Sequence, residues 1–269
     1  MHPSAEAVGL APALAVGLAV AGRGAPVSRL RLVAGALGVA LVFAAFFTPL
    51  EPLANHTFLW AHLLQNVVLA EWAPALLVLA VPPQLAERAA GFPLFRPFVA
   101  LPLWLAAYYT WHLPWIYDEA LRHPHSLLHV EHLTYFAAGI CVWWPVVHGR
   151  ASAGAKAVYL FAAFVLASPL GLLLALIPRA IYPFYAHAPR TWGPTPLVDQ
   201  QIAGVTMAAE EAVVFFGAFA GYLLRFLADE QAAGTFVPAA SGGGSLRAES
   251  GRADSNCRPP GPKPGALPG

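Results

Sequence analysis

The sequence predicts an all-α membrane protein: a polytopic bundle of about seven transmembrane helices followed by a disordered tail. Hydrophobic residues make up 58% of the 269 residues and charged residues only 11%, whereas soluble domains carry about 25% charged residues. The mean hydropathy of +0.59 agrees with this composition. Several apolar stretches also approach the roughly 20 residues that a helix needs to cross a bilayer. These features exclude an ordinary soluble enzyme, a disordered regulator and a coiled coil.

Seven stretches are candidate spans, and the first of them is short and rich in alanine and glycine. They cover residues 8–21, 30–47, 57–80, 98–113, 126–147, 157–177 and 197–227. Prolines fall inside three of these spans, where neighbouring helices usually tolerate the kink. We therefore divide the chain into a helical bundle over residues 1–227 and a cytoplasmic tail over residues 228–269. The tail is rich in Gly, Pro and Ser and lacks the apolar residues for a core, so it should be disordered.

The few charges indicate the orientation of the bundle. The 15 basic and 14 acidic residues give a net charge of +1, so no basic face for nucleic acid is expected. With the amino terminus outside, only Arg122, Arg179 and Arg190 of the fifteen basic residues lie in outer segments. Basic residues are enriched in cytoplasmic loops. This asymmetry predicts an outer amino terminus and a cytoplasmic carboxyl terminus.

The same orientation places nine of the ten histidines on the outer side and only His148 on the inner side. His125, His129 and His132 follow the i, i+4, i+7 spacing of one helix face. Ionisable groups inside a bilayer are costly and normally face the bundle interior. Imidazole suits copper, zinc, iron and nickel, while a thioether favours cuprous copper. The pattern therefore predicts a metal or cofactor site in the outer leaflet, although a single interfacial histidine can be a plain amphipathic side chain.

Other outer and mid-span residues have simpler interpretations. A belt of aromatic side chains at the outer membrane interface is expected from Trp60, Trp111, Trp115, Tyr117, Tyr182, Tyr185 and Trp192. Glu71 lies in the middle of the third span, roughly opposite His62 on the helical wheel. We interpret Glu71 as a partner in an inter-helix hydrogen bond, with a proton relay as the alternative.

Three stretches together resemble a known family. They are AHLLQNVVLAEWAPALLVLAVPP (61–83), WHLPWIYDEALRHPHSLLHVEHLTYFAAGICVWWPVV (111–147) and YPFYAHAPRTWGPTPLVDQQIAGVTM (182–207). Over about residues 43–226 the chain is similar to the multi-spanning CtaG-like cytochrome c oxidase assembly factors of bacteria. The resemblance implies a multi-pass protein of the bacterial plasma membrane that is needed to mature haem–copper oxidase, in copper delivery or insertion.

The motif positions of this family can be assigned residue by residue. They fall on His62, Trp111, His112, Pro114, Tyr117, His129, Glu131, His132, Trp144, Pro145, Asp199, Gln200, Gln201, Gly204 and Met207. The chain departs from the family at Asn66, where the family commonly has a second histidine four residues after the one at His62. Asparagine is a poor ligand for a soft metal. Either the site has lost a ligand here, or that second histidine never was one.

We therefore predict a non-enzymatic assembly factor for cytochrome c oxidase that binds copper at an outer-face histidine site and passes it on. The candidate metal ligands are His62, His112, His129, His132 and Met207. Glu131 and Asp199 are expected to accept hydrogen bonds from the imidazoles, beside Asn66. The expected partners are the lipid bilayer and the oxidase subunits, with copper chaperones as a further candidate and no nucleic acid.

Three alternatives stay open. A transporter of copper or another cation would need a polar path through the inner half of the bilayer, for which Glu71, Glu210 and Glu211 are available. A membrane metalloenzyme would use histidine and aspartate to activate water, but the sequence has no HExxH motif. A scaffold would need no metal at all. The metal content of the purified protein would distinguish a scaffold from the metal-binding alternatives. Cation counterflow in proteoliposomes would identify a transporter.

The topology can be tested with paired reporters fused after Ala228. The distribution of basic residues predicts that a reporter active only in the cytoplasm works at this position, while one active only in the periplasm stays silent. Reporter activity in whole cells measures both. The reverse pattern would contradict the placement of every outer residue named above.

Overall fold

The computed structural model describes residues 28–234 of the chain. In this range it consists of helices and connecting turns, with no β-strand. The first predicted span, residues 8–21, lies outside the described residues, as does most of the predicted tail.

The helices, in chain order, are α1 (Arg29–Phe47), α2 (Leu50–His56), α3 (Leu59–Ala80), α4 (Pro83–Ala89), α5 (Pro97–Trp111), α6 (Pro114–Arg122), α7 (Leu127–Val147), α8 (Ala153–Leu176), α9 (Pro183–Ala186) and α10 (Pro196–Ala232). One 3₁₀ turn, Pro93–Phe95, precedes α5. Six of the seven predicted spans thus correspond to long helices. Helix α10 ends at Ala232, beyond the predicted boundary at residue 227, because Ala228, Glu230 and Gln231 are good helix formers.

Of the described helices, α1, α3, α8 and α10 are long and apolar enough to cross a membrane by length and composition. Helix α5 has only 15 residues. Helix α7 has 21, but His129, Glu131 and His132 lower its hydropathy. The structure therefore supports a multi-helix membrane protein with four candidate spans, and the predicted count of seven is not confirmed.

Helix α3 is the centre of the bundle. It packs against α1, α7 and α10, and α8 lies along α10. Glycines allow the closest of these approaches, since a Cβ at Gly139 on α7 would collide with the Ala70 carbonyl oxygen of α3, and one at Gly204 on α10 with the backbone of α8. Small residues of this kind are typical of helix contacts in membranes. They bring the polar faces of α3, α7 and α10 within reach of one another.

Two of the central helices contain a π-helical turn. The first covers Val68–Trp72 in α3 and the second Ala212–Phe216 in α10. A π turn inserts an extra residue into a helix and rotates the side chains beyond it, and such turns often mark functional sites. Glu71 lies within the first turn, and Glu211 directly precedes the second.

The buried carboxylate of Asp199, near the start of α10, connects this helix to the start of α3. The Asp199 carboxylate accepts hydrogen bonds from the backbone N–H groups of Leu59 (2.9 Å) and Trp60 (3.0 Å) and from Arg190 (2.8 Å). Phe58, at the N-cap of α3, has no side chain that could do this. Asp199 therefore caps α3 from another helix, and its charge also suits the positive end of the helix dipole.

Removing this cap should destabilise the bundle. Asp199→Ala leaves the Arg190 charge without its partner and two N–H groups unbonded, and breaking a buried pair in this way costs about 3–5 kcal/mol. We expect a clearly lower thermal midpoint of the purified protein in detergent. Asp229→Ala, which removes an exposed aspartate near the end of α10, is the matched control. Equal midpoints for the two variants would contradict the capping role.

Candidate functional site

Two of the predicted histidines lie in a buried polar cluster near the amino-terminal ends of α3 and α7. His62 Nε2 is 3.4 Å from Glu131 Oε1, and Asn66 Nδ2 donates to the same oxygen at 2.8 Å. The ring centre of His132 is 6.0 Å from that of His62. All four side chains are buried. We call His62, Asn66, Glu131 and His132 the imidazole cluster.

Tyr185 sets the orientation of the His62 ring. Its hydroxyl donates to the Ala54 carbonyl oxygen and lies 2.9 Å from His62 Nδ1. Because the hydroxyl proton is used on Ala54, His62 Nδ1 is the donor in the second contact. This arrangement directs Nε2 towards Glu131. His62 Nε2 then carries either a second proton for that carboxylate or a lone pair for a cation, which are the two states that imidazole offers.

His112 borders a small internal cavity beside the imidazole cluster. Its Nδ1 donates to the Tyr108 carbonyl oxygen at 2.7 Å, so the lone pair of the neutral ring is on Nε2. Nε2 has no hydrogen-bond partner within residues 28–234. The cavity has room for about one water molecule. Asn66, Glu71 and Met207 also line it, which brings an imidazole and a thioether to one enclosed space.

Glu71 lines this cavity together with Asn66. The helical wheel instead placed Glu71 on the side of α3 opposite His62. The wheel assumed a regular α-helix, whereas the π turn rotates Glu71 away from the position that a regular helix gives it. Its carboxyl group faces that of Glu210 on α10. Glu71 and Glu210 interact across the α3–α10 contact, in line with the interpretation of Glu71 as a partner in an inter-helix hydrogen bond.

Two further contacts extend this polar region into α10. Trp72 Nε1 donates to Glu210 Oε2 at 3.0 Å, and the Tyr108 hydroxyl donates to Glu211 Oε1 at 2.5 Å. A continuous set of polar side chains therefore reaches from His112 to the carboxyl groups beside the π turn of α10. The sequence named Glu210 and Glu211 as groups available to a transporter, and it did not indicate Tyr108.

The remaining predicted site residues lie apart from these groups. His129 is half-buried and lies nearer the start of α7. Asp199 caps α3 and bonds to Arg190, so its oxygens are used on backbone and guanidinium groups rather than on an imidazole. In the part of the chain that the structure describes, no three His, Cys, Asp or Glu side chains converge as a metal site would require. Four of the five predicted ligands are thus divided between the imidazole cluster and the cavity, and His129 belongs to neither group.

Tyrosines form a wall around both groups, which the sequence did not indicate. Tyr117, Tyr182 and Tyr185, expected in the aromatic belt, are almost fully buried. The Tyr117 ring lies 5.1 Å from that of His62, and the Tyr182 hydroxyl donates to the His112 carbonyl oxygen at 3.0 Å. A tyrosine with a partner for its hydroxyl is stable inside a protein. The available signal was the presence of Tyr117 among the motif positions beside His112.

The family model described as cytochrome c oxidase caa3 assembly factor (Caa3_CtaG) matches residues 13–229. Neither the curated proteins nor the solved structures give a significant match to the chain. The family match includes both buried groups and all six long helices except the last few residues of α10. The chain belongs to the cytochrome c oxidase caa3 assembly factor family.

Proposed function

We propose that this protein assists the assembly of cytochrome c oxidase by holding cuprous copper transiently, between the imidazole cluster and the adjoining cavity, on the outer side of the membrane. The observation that carries the proposal is the cavity that His112 and Met207 share beside His62 and His132. An imidazole together with a thioether is a donor set that favours cuprous copper. The family assignment supports association with the oxidase and a non-catalytic role.

The hydrogen bonds of the two central histidines suit this role. In both rings Nδ1 makes a hydrogen bond, to Tyr185 in His62 and to the Tyr108 carbonyl in His112. When a histidine binds metal through one ring nitrogen, a hydrogen bond at the other nitrogen fixes the tautomer and the orientation of the ring. Nε2 is then the nitrogen that can bind a cation. Copper is the cargo in this proposal, so an incomplete set of ligands favours release.

Two carboxyl groups can balance the charge of the ion. Glu131 lies beside His62 in the imidazole cluster, and Glu71 lies at the cavity. An unpaired cation is costly inside a bilayer, so a neighbouring carboxylate makes its entry less unfavourable. This supports a path on which copper moves between the two groups, with a counter-charge available at each of them.

Asn66 has a role that does not require it to bind metal. Its Nδ2 donates to Glu131 Oε1, the oxygen that faces His62. Asn66 therefore holds the carboxylate in place for the imidazole. This supports the view that a second histidine at this position is not a necessary ligand, and it leaves Asn66 as a residue that positions Glu131.

A second candidate function is cation transport, which the carboxyl groups favour. Glu71, Glu210 and Glu211 extend the polar region from the cavity towards the two π turns. Beyond Trp72, however, the remaining residues of α3 up to Ala80 carry only apolar side chains. We rank transport second, and cation counterflow in proteoliposomes would favour it over assembly.

The copper proposal predicts which substitutions abolish binding. His112→Ala/Met207→Leu and His62→Ala/His132→Ala should each weaken cuprous copper binding by about tenfold or more, as measured by competition with a chelator on the full-length protein in detergent. His148→Ala, at the opposite end of the bundle, is the control. Copper affinity equal to the parent in both double variants would rule out this site.

The assembly role predicts a specific phenotype. Cells that lack the protein should make the oxidase polypeptides but show low cytochrome c oxidase activity under copper limitation. Added copper should restore part of the activity, because mass action can replace a carrier. The parent and His148→Ala should complement the deletion, whereas His62→Ala/His132→Ala should not. Full oxidase activity in the copper-limited deletion strain would refute the role.

A further inference from the structure

A second, larger cavity lies at the end of the bundle opposite the imidazole cluster. It has a volume of about 680 Å³, within the range of roughly 300–1,000 Å³ that is typical of ligand sites. The first turn of α1, helix α4 and the end of α7 enclose it. Its lining includes Arg31, Glu87, Phe95, Trp144, His148 and Arg150. None of these residues has a part in the proposed copper site.

The charge of this cavity is positive. Two arginines, Arg31 and Arg150, stand against one acid, Glu87. His148 donates through Nε2 to the Val78 carbonyl oxygen at 2.8 Å. Burial, with the nearby charges of Arg31 and Lys156, lowers the pKa of His148, so its ring is neutral at pH 7. The arginines therefore supply the charge, and the cavity favours an anionic ligand.

Arg31 is already held in position for such a ligand. One of its terminal nitrogens donates to the Leu79 carbonyl oxygen at 2.9 Å and also to that of Val81, at the end of α3. These bonds fix the guanidinium group and satisfy carbonyl groups that the helix end leaves open. Arginine has five N–H donors in a planar arrangement that fits phosphate. Among residues 28–234, the other guanidinium donors of Arg31 and those of Arg150 have no hydrogen-bond partner, so they can reach a phosphate group.

The surroundings indicate a lipid rather than a soluble anion. Exposed apolar side chains flank Arg31 on α1, with Leu30 65% and Leu32 58% accessible, and Phe92 is 51% accessible beside the cavity. Phe95 and Trp144 stack in its wall with ring centres 4.1 Å apart. Acyl chains can cover apolar surface of this kind, while a free phosphate cannot. Basic pockets between membrane helices are known to bind anionic lipid headgroups.

We propose that this cavity binds the headgroup of an anionic phospholipid, with the phosphate between Arg31 and Arg150 and the acyl chains along the exposed leucines of α1. The site is independent of copper handling and lies at the other end of the molecule. A lipid bound there would join the start of α1 to the end of α7, and so would hold together two helices that also border the imidazole cluster at their opposite ends.

Lipid retention by the full-length protein tests this site. The protein is purified in a neutral detergent, mixed with equal amounts of phosphatidylglycerol and phosphatidylcholine, and analysed by native mass spectrometry. The parent should retain phosphatidylglycerol preferentially, and Arg150→Gln should lower its affinity about fivefold, the effect of removing one basic residue at a lipid surface. Arg225→Gln makes the same charge change near Lys156 at the same end, outside the cavity lining, and should retain the lipid as the parent does.

Three outcomes would overturn the proposal. Equal retention of both lipids by the parent would show that the cavity does not select an anionic headgroup. If Arg150→Gln and Arg225→Gln lost phosphatidylglycerol equally, the effect would come from the general charge of this surface. Displacement of the lipid by glycerol phosphate at equal concentration would identify a site for a soluble anion. The lipid site is supported if Arg150→Gln alone loses phosphatidylglycerol and glycerol phosphate does not displace this lipid from the parent.

Discussion

A polar side chain inside a bilayer must find its partner within the protein, and the architecture of this chain depends on how α3 meets that requirement. This helix carries His62, Asn66 and Glu71, and each of them reaches another helix. The partners lie on α7, α9 and α10, which therefore converge on α3. Glycines at the crossings bring α7 close to α3 and α10 close to α8. The need of these polar side chains for partners inside the protein thus positions the helices and brings the imidazole and carboxyl groups together.

The two ends of α3 are stabilised by charges from elsewhere in the chain. At the histidine end, Asp199 accepts from the first N–H groups, and at the other end Arg31 donates to the last carbonyl groups. Both contacts agree with the direction of the helix dipole. They also define the borders of two sites, since Asp199 adjoins the tyrosine wall through Arg190 and Arg31 lines the basic cavity. The same two side chains therefore stabilise α3 and border the two proposed binding sites.

The division of the predicted ligands has a consequence for how a cargo ion would be handled. One closed shell of four imidazoles would bind copper tightly and release it slowly. Two adjoining groups, with Asn66 common to both, instead offer alternative partial shells a short distance apart. A carrier benefits from such an arrangement, because transfer between weak sites requires no large rearrangement. Glu71 and Glu131, one at each group, would compensate the charge of such an ion at both positions.

The sequence by itself determined the membrane class, the six long helices within the described residues and the residue types of the site. These properties depend on hydropathy and spacing along the chain, which are local. The sequence could not place Glu71, because a π turn changes the helical phase without an obvious signature in the residues. It could not separate the buried Tyr117 and Tyr185 from the exposed Trp115 and Trp192, since all four suit an interface. Only the tertiary structure decided which polar atoms meet, because those contacts join residues far apart in the chain and depend on how closely the helices pack.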